Sequence, residues 1–86
     1  MQAHIEFTAS AYRDYLYWKK HDLKRIQRIE KLCRDILAHP FKGIGKPEAL
    51  KFGFQGCWSR RIDREHRLVY QVKGGKVIIV SRRYHY

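Results

Sequence analysis

The chain opens on His4-Ile5-Glu6-Phe7, where polar and apolar residues alternate as they do in a short half-buried strand. Thr8 or Ser10 follows, and either hydroxyl can cap a helix by accepting an orphan backbone N–H. From Ala11 to Lys20 the aromatics Tyr12, Tyr15 and Trp18 recur every third residue and Leu16 joins them, which predicts one apolar helix face buried in the core. Tyr17 departs from that face. His21-Asp22 interrupts the pattern, with Asp22 suited to cap a second helix. Leu23, Ile26, Ile29, Leu32, Cys33, Ile36 and Leu37 then keep helical spacing, with Lys24, Arg25, Arg28, Lys31 and Arg34 elsewhere on its surface, until Pro40 ends the run. The two segments predict a helical hairpin.

Beyond Phe41 the period changes from helical to strand-like. Lys42-Gly43-Ile44-Gly45-Lys46-Pro47 reads as a Gly/Pro-rich loop. It lacks the GxxxxGK[ST] spacing of a phosphate-cradling loop and does not open a helix, so a nucleotide site is not expected. Three strand-like runs follow, at Cys57 to Ile62, Arg67 to Lys73 and Lys76 to Arg83. Gly74-Gly75 between the last two is a hairpin signal, since both residues tolerate positive φ. The expected architecture is α+β: a strand, a helical hairpin, then an antiparallel β-meander, with the helices on one face of the sheet.

Length makes this a single domain over residues 1–86, with a small core. No stretch reaches the about 20 apolar residues that cross a bilayer, and the first residues lack the features of a secretory signal, so no membrane association and a cytoplasmic location are expected. Cys33 and Cys57 form neither a disulfide framework nor a metal-ligand spacing. Charge changes the picture more. The formal net charge is +11; residues 1–41 carry 8 Lys+Arg against 5 Asp+Glu, and residues 42–86 carry 11 against 3, a net of +8. Such a half attracts polyanions. Nucleic acid is favoured, and an acidic partner protein is compatible with the same charge.

The second half also holds groups able to act on a phosphate. Glu48 lies in the loop region between Lys46 and Lys51, Arg60 and Arg61 sit on one predicted strand, and Arg67 opens the next. The last run delivers Arg83-Tyr84-His85-Tyr86. Strand alternation sends Arg60 and Arg61 to opposite faces, so at most one of them points where Arg67 points. RNA cleavage through the 2′-hydroxyl needs a base, an acid for the 5′-oxygen and cations for the phosphorane charge, which a Glu, a His and Arg residues supply without metal or other cofactor. The scarcity of carboxylates argues the same way. A basic, aromatic surface that binds RNA without cutting it uses the same residues, and a loop Glu between lysines is often a plain surface ion pair. His39 and His66 are read as structural or exposed.

Taken together, Gly43-Ile44-Gly45-Lys46-Pro47-Glu48-Ala49-Leu50-Lys51, Trp58-Ser59-Arg60-Arg61-Ile62, Glu65-His66-Arg67-Leu68-Val69-Tyr70 and Arg83-Tyr84-His85-Tyr86, with Asp14-Tyr15-Leu16-Tyr17-Trp18 near the start, closely resemble the YoeB (Txe) toxins of the RelE superfamily. The resemblance runs nearly end to end in the same order and spacing. Cys57 and Arg82 depart from the family's usual residues, and Gln2-Ala3 extends its start. The resemblance implies a microbial-ribonuclease-like (RelE-type) fold and a ribosome-dependent mRNA endonuclease acting in the 30S A site. It also implies silencing by an acidic YefM-type antitoxin, and members of the family can dimerise. Carried over residue by residue, it makes Glu48 the general base, His85 the general acid and Arg67 the main phosphate stabiliser. Lys51 and one or both of Arg60 and Arg61 would hold RNA or transition-state charge, Tyr86 would position substrate, and Lys46 is a weaker binding candidate. A gyrase-poisoning relative is the other reading within the superfamily, and it would leave the Glu48, Arg67 and His85 set without a purpose.

The surrounding positive field favours ionised Glu48 and neutral His85. Neutral His85 is poorly set to act as an acid, so the site is expected to be properly charged only in the ribosome-bound complex, and the free protein to be a feeble ribonuclease.

Overall fold

The computed structural model describes residues 4–51, 54 and 56–85, the last five of these through their backbone alone. Among the described residues seven elements follow in order: β1 (His4–Phe7), α1 (Ala9–His21), α2 (Leu23–Ala38), β2 (Glu48–Ala49), β3 (Cys57–Arg61), β4 (His66–Lys73) and β5 (Lys76–His85). They build the expected α+β domain, with the helical hairpin packed on one face of a five-stranded sheet of order β1-β5-β4-β3-β2.

Single residues set most of the boundaries. Thr8 ends β1 by donating its backbone N–H to Ile79 O (3.0 Å) and its hydroxyl to Val80 O (3.1 Å). The same hydroxyl accepts the N–H of Ala11 at 3.2 Å and so caps α1, which resolves the choice between Thr8 and Ser10. Asp22 serves both helices: its N–H donates to Trp18 O (2.7 Å), and its carboxylate accepts from Arg25 N (3.1 Å). Gly74 and Gly75, with φ of 57° and 78°, make the turn that pairs Lys73 with Lys76.

Ile26, Ile29, Leu32 and Ile36 face the core from α2, as the helical period requires. Leu23 (65% exposed) and Leu37 do not join them. The aromatic stripe of α1 departs further from its expected burial. Ala11 is the fully buried residue of that helix, whereas Tyr12 and Leu16 are about half exposed. A small residue lets α1 lie close to the sheet, and the larger rings are pushed to its margin. There Tyr12 and Tyr15 gather against Phe7, with ring centroids 6.1 and 5.6 Å from it. Trp18 is partly buried against the core.

Two features of the sheet differ from a plain meander. β1 pairs parallel with β5, because the helical hairpin returns the chain to the far side of the sheet. The Glu48–Ala49 pair, read as loop, forms a two-residue edge strand on β3, a length too short to show a period.

The loop between α2 and β2 is held from beneath by Arg60, whose side chain is fully buried. Its Nη1 donates to Asp35 Oδ2 and to Ile44 O (3.2 Å), its Nη2 to His39 O and Lys42 O (2.8 Å), and its Nε to Tyr70 Oη (3.2 Å). Tyr70 passes the connection on by donating to Pro40 O at 2.6 Å, and burial pushes its phenol pKa up, which keeps that proton in place. Asp35 also accepts Ile44 N at 3.1 Å. Gly43, at φ 121°, passes so near this pair that a Cβ there would overlap the Asp35 carboxylate.

Removing one partner of a buried, hydrogen-bonded ion pair strands the other groups. Arg60→Ala should therefore cost about 3–5 kcal/mol in urea unfolding, and Arg60→Lys should not restore it, since an ammonium lacks the planar fork. The Arg60 hydrogen bond lowers the Asp35 pKa against the opposing effect of burial. Its contribution to stability is present above the ordinary carboxylate range and lost as pH falls through the depressed folded value, below about pH 4. Melting temperatures from pH 7 to 2 should show this acid loss, and it should be smaller, though not absent, in Asp35→Asn. Asp63, whose burial is outweighed by hydrogen bonds from Glu65 and His66 and by the nearby Arg25, is lowered as well and adds to that loss.

Candidate functional site

Strand alternation sorts β3 and β4 into two sets. Trp58, Arg60, Leu68 and Tyr70 belong to the helix side, with Trp58 paired to Tyr70 and Arg60 to Leu68. Ser59, Arg61, Arg67 and Val69 belong to the other side, with Ser59 paired to Val69 and Arg61 to Arg67. β2 extends that second set, since Glu48 pairs with Ser59. Glu48, Ser59, Arg61 and Arg67 therefore share one end of the sheet's open face across three neighbouring strands.

Arg67 is its centre. Its side chain is almost fully buried, with 2% of the residue exposed. Nε donates to Ser59 Oγ at 2.8 Å, and Nη2 donates to Lys46 O at 2.8 Å and to Ser59 O at 3.3 Å. A guanidinium fixed by such contacts presents its planar fork in a set direction, which suits two oxygens of an anion such as phosphate. Lys46 makes this possible by adopting a positive φ of 51°, the conformation that a non-glycine residue rarely takes. The preceding Gly45 carbonyl accepts Arg61 N at 2.6 Å, so the loop is stitched to β3 beside the site.

Glu48 is partly buried on β2. Lys46 and Lys51 are exposed on either side of it, and Arg61 is exposed on β3 with its carbonyl accepting from Arg28 Nη2 at 3.0 Å. β5 runs to the same end of the sheet, where Tyr84 pairs with Arg67 and His85 with His66. These two are placed by their backbone; their side chains, and Tyr86 entirely, lie outside the described residues.

Arg60 does not join this set. Its guanidinium is enclosed on the helix side by Asp35, Tyr70 and three loop carbonyls, so it has no surface to offer an RNA. Of the two adjacent arginines it is Arg61 that faces out beside Arg67. Ser59 is the residue that sequence reasoning missed. It is fully buried, holds Arg67 through its hydroxyl and stands opposite Glu48 in the ladder. Its place between Arg60 and Arg61 on a predicted strand was the available signal, but a serine carries no charge to draw attention.

Among the described residues no group of three or more His, Cys, Asp or Glu side chains could hold a metal ion, and no helix is long and apolar enough to cross a membrane. Burial pushes the Cys57 thiol pKa up, which keeps it in the unreactive protonated form.

Comparison with known proteins bears on the family and the fold. A family described as the YoeB-like toxin of bacterial type II toxin-antitoxin systems matches residues 7–86. Toxin YoeB of Streptomyces coelicolor is 50% identical over 82 residues, spanning 95% of this chain and 98% of that protein. The YoeB dimer from Staphylococcus aureus superimposes with a TM-score of 0.93 at 41% identity, covering 100% of each chain. A heterotetrameric YoeB-YefM toxin-antitoxin complex from the same organism gives a TM-score of 0.90 at 41% identity, again over 100% of each chain. With sequence and fold in agreement from β1 to the end of β5, this chain belongs to the YoeB-like toxins of bacterial type II toxin-antitoxin systems.

Proposed function

We propose that this toxin is an endoribonuclease that cuts messenger RNA on the ribosome, in the 30S A site, by metal-free acid–base chemistry. The observation that carries the reading is the position of Arg67. It is a buried, oriented guanidinium on the face where Glu48 and Arg61 lie and where β5 ends beside it. Glu48 takes the proton from the 2′-hydroxyl, which attacks the adjacent phosphorus. Arg67 stabilises the charge that builds on the phosphorane oxygens. His85 gives a proton to the departing 5′-oxygen, and Tyr86 helps position the substrate. The products are a 2′,3′-cyclic phosphate and a 5′-hydroxyl, and translation stops with the message.

Lys46, Lys51 and Arg61 are exposed and bind the RNA backbone around the reacting phosphate. Arg60 contributes by holding the loop that carries the Lys46 carbonyl, not by touching RNA. The burial of Arg67 supports the expectation of a weak free enzyme, because a phosphate reaches the guanidinium only when what now covers it shifts. Binding on the ribosome supplies that rearrangement.

The net charge of +8 on residues 42–86 supports an acidic antitoxin of the YefM type as the natural inhibitor, laid over this face. Its relatives in Staphylococcus aureus include a complex of that composition and a dimer of the toxin alone. A dimer of this chain is proposed on the same ground, and the cytoplasm, where ribosomes and messages meet, as its place of action.

The cleavage ends on a translated message decide the central claim. Wild type should leave discrete cuts within the occupied A site, whereas Glu48→Ala and His85→Ala should lose about 100-fold or more in rate, the usual weight of a general base or acid. Both variants should still bind ribosomes. A wild-type protein that binds but leaves messages whole would make this an RNA-binding module. Binding has its own check: Arg61→Ala should keep stability within about 0.5 kcal/mol, while its RNA affinity falls and the salt slope drops by about 1.

A further inference from the structure

On the helix side of the sheet, behind Arg67, lies a cluster of charged and aromatic groups that the proposed chemistry does not use. Arg25 of α2 places its guanidinium over the Trp18 ring, 4.2 Å from the centroid. Its Nη2 pairs with Asp63 Oδ2 at 3.0 Å and its Nε with Asp22 Oδ2 at 3.4 Å. Its Nη1 lies 3.2 Å from His66 Nδ1, and that same nitrogen is 3.1 Å from Asp63 Oδ1. Asp63 Oδ1 also accepts the backbone N–H groups of Glu65 (2.9 Å) and His66 (2.8 Å). The Trp18 ring meets the His66 ring edge-on at 6.2 Å.

His66 Nδ1 makes one of its two bonds at a time, since a guanidinium only donates and a carboxylate only accepts. Unprotonated, Nδ1 accepts from Arg25; carrying a proton, it donates to Asp63. Arg25 and Asp63 are themselves paired, so the ring is tied to the same two residues in either state. The imidazole is thus held from α2 and from the β3–β4 turn together.

This matters because His66 opens β4 and immediately precedes Arg67. Alternation points the His66 ring to the helices and the Arg67 side chain to the site, so any roll of the strand about its axis moves both. The β4–β5 ladder is irregular between Arg67 and Val69 and again between Val69 and Tyr70. An irregularity of this kind redirects a strand and interrupts its regular pairing. The ladder further along therefore does not by itself fix the end where Arg67 pairs with Tyr84 and His66 with His85.

We propose that His66, held by Arg25, is a positioning residue for the phosphate-binding end of the sheet: it fixes the roll of β4 and so the direction of the Arg67 guanidinium. The kinetic consequence rests on the nuclease reading above; the structural consequence does not.

The test uses the full chain and three variants. His66→Phe fills the space without Nδ1, His66→Asn returns an acceptor near the Nδ1 position, and Arg25→Met keeps the packing on Trp18 without donors. The Arg67 Nε–H resonance reports its bond to Ser59, and single-turnover cleavage on programmed ribosomes separates kcat from KM. In His66→Phe and in Arg25→Met the Arg67 signal should shift or broaden, and kcat should fall about 10- to 100-fold, the scale of a small misplacement at a reacting centre. KM should stay within about twofold, as for an interaction that acts on the transition state. His66→Asn should recover most of the rate, and the Phe/Met double variant should be no worse than the worse single one. The proposal is overturned by folded His66→Phe and Arg25→Met proteins with an unchanged Arg67 signal, by a loss confined to KM, or by His66→Asn as impaired as His66→Phe. If His66→Phe does not fold, the other two variants decide. If wild type does not cut, the nuclease reading fails and the Arg67 signal alone settles the positioning.

Discussion

The Arg60 guanidinium, closed between the helices and the sheet, is the constraint on which the rest of this small fold depends. Its burial has a large desolvation cost, which is met because every direction of the guanidinium finds an acceptor. Those acceptors belong to three separate parts of the chain: Asp35 near the end of α2, carbonyls of the following loop, and Tyr70 in the middle of β4. One side chain thus fastens helix, loop and sheet together, and the loop so fastened carries the Lys46 carbonyl to Arg67.

Two adjacent arginines on β3 therefore have opposite tasks. Arg60 turns inward and organises the interior, and Arg61 turns outward beside Arg67. The sheet divides its faces in the same way, with Trp58, Leu68 and Tyr70 packed under the helices around Arg60, and Glu48, Ser59, Arg61 and Arg67 on the other side with Val69. Both cationic groups closest to the centre, Arg60 and Arg67, are buried and held by several oxygen atoms. In a chain of net charge +11 this is a means of placing positive charge where repulsion would otherwise scatter it. The acidic residues are few, and Asp22, Asp35 and Asp63 each tie an arginine to a helix end or turn.

The relation to the YoeB-like toxins gives this arrangement its setting. Under the proposed nuclease reading, a toxin of this kind gains from a central arginine that is oriented in advance yet covered. The helix side adds ties of its own, since Arg25 and Arg28 hold the turn between β3 and β4 from α2.

Much of the outline was legible in the sequence. The opening strand, both helices, the Asp22 cap of the second, the Gly74-Gly75 turn and the last three strands follow from local rules: periodicity, capping and turn residues act over a few positions and leave their mark there. That Glu48 and Arg67 belong together was implied by the family resemblance that five motifs in a fixed order carry, and alternation already required Arg60 and Arg61 to part. Tertiary structure alone decided which of them turned inward, because that depends on Asp35 and Tyr70, 25 and 10 residues away. It also decided the parallel pairing of β1 with β5, the two-residue β2 strand, the exposure of Tyr12 and Leu16 and the part of Ser59 beneath Arg67. Each of these is a contact between segments distant in sequence, and no local pattern encodes which distant surface a residue will meet.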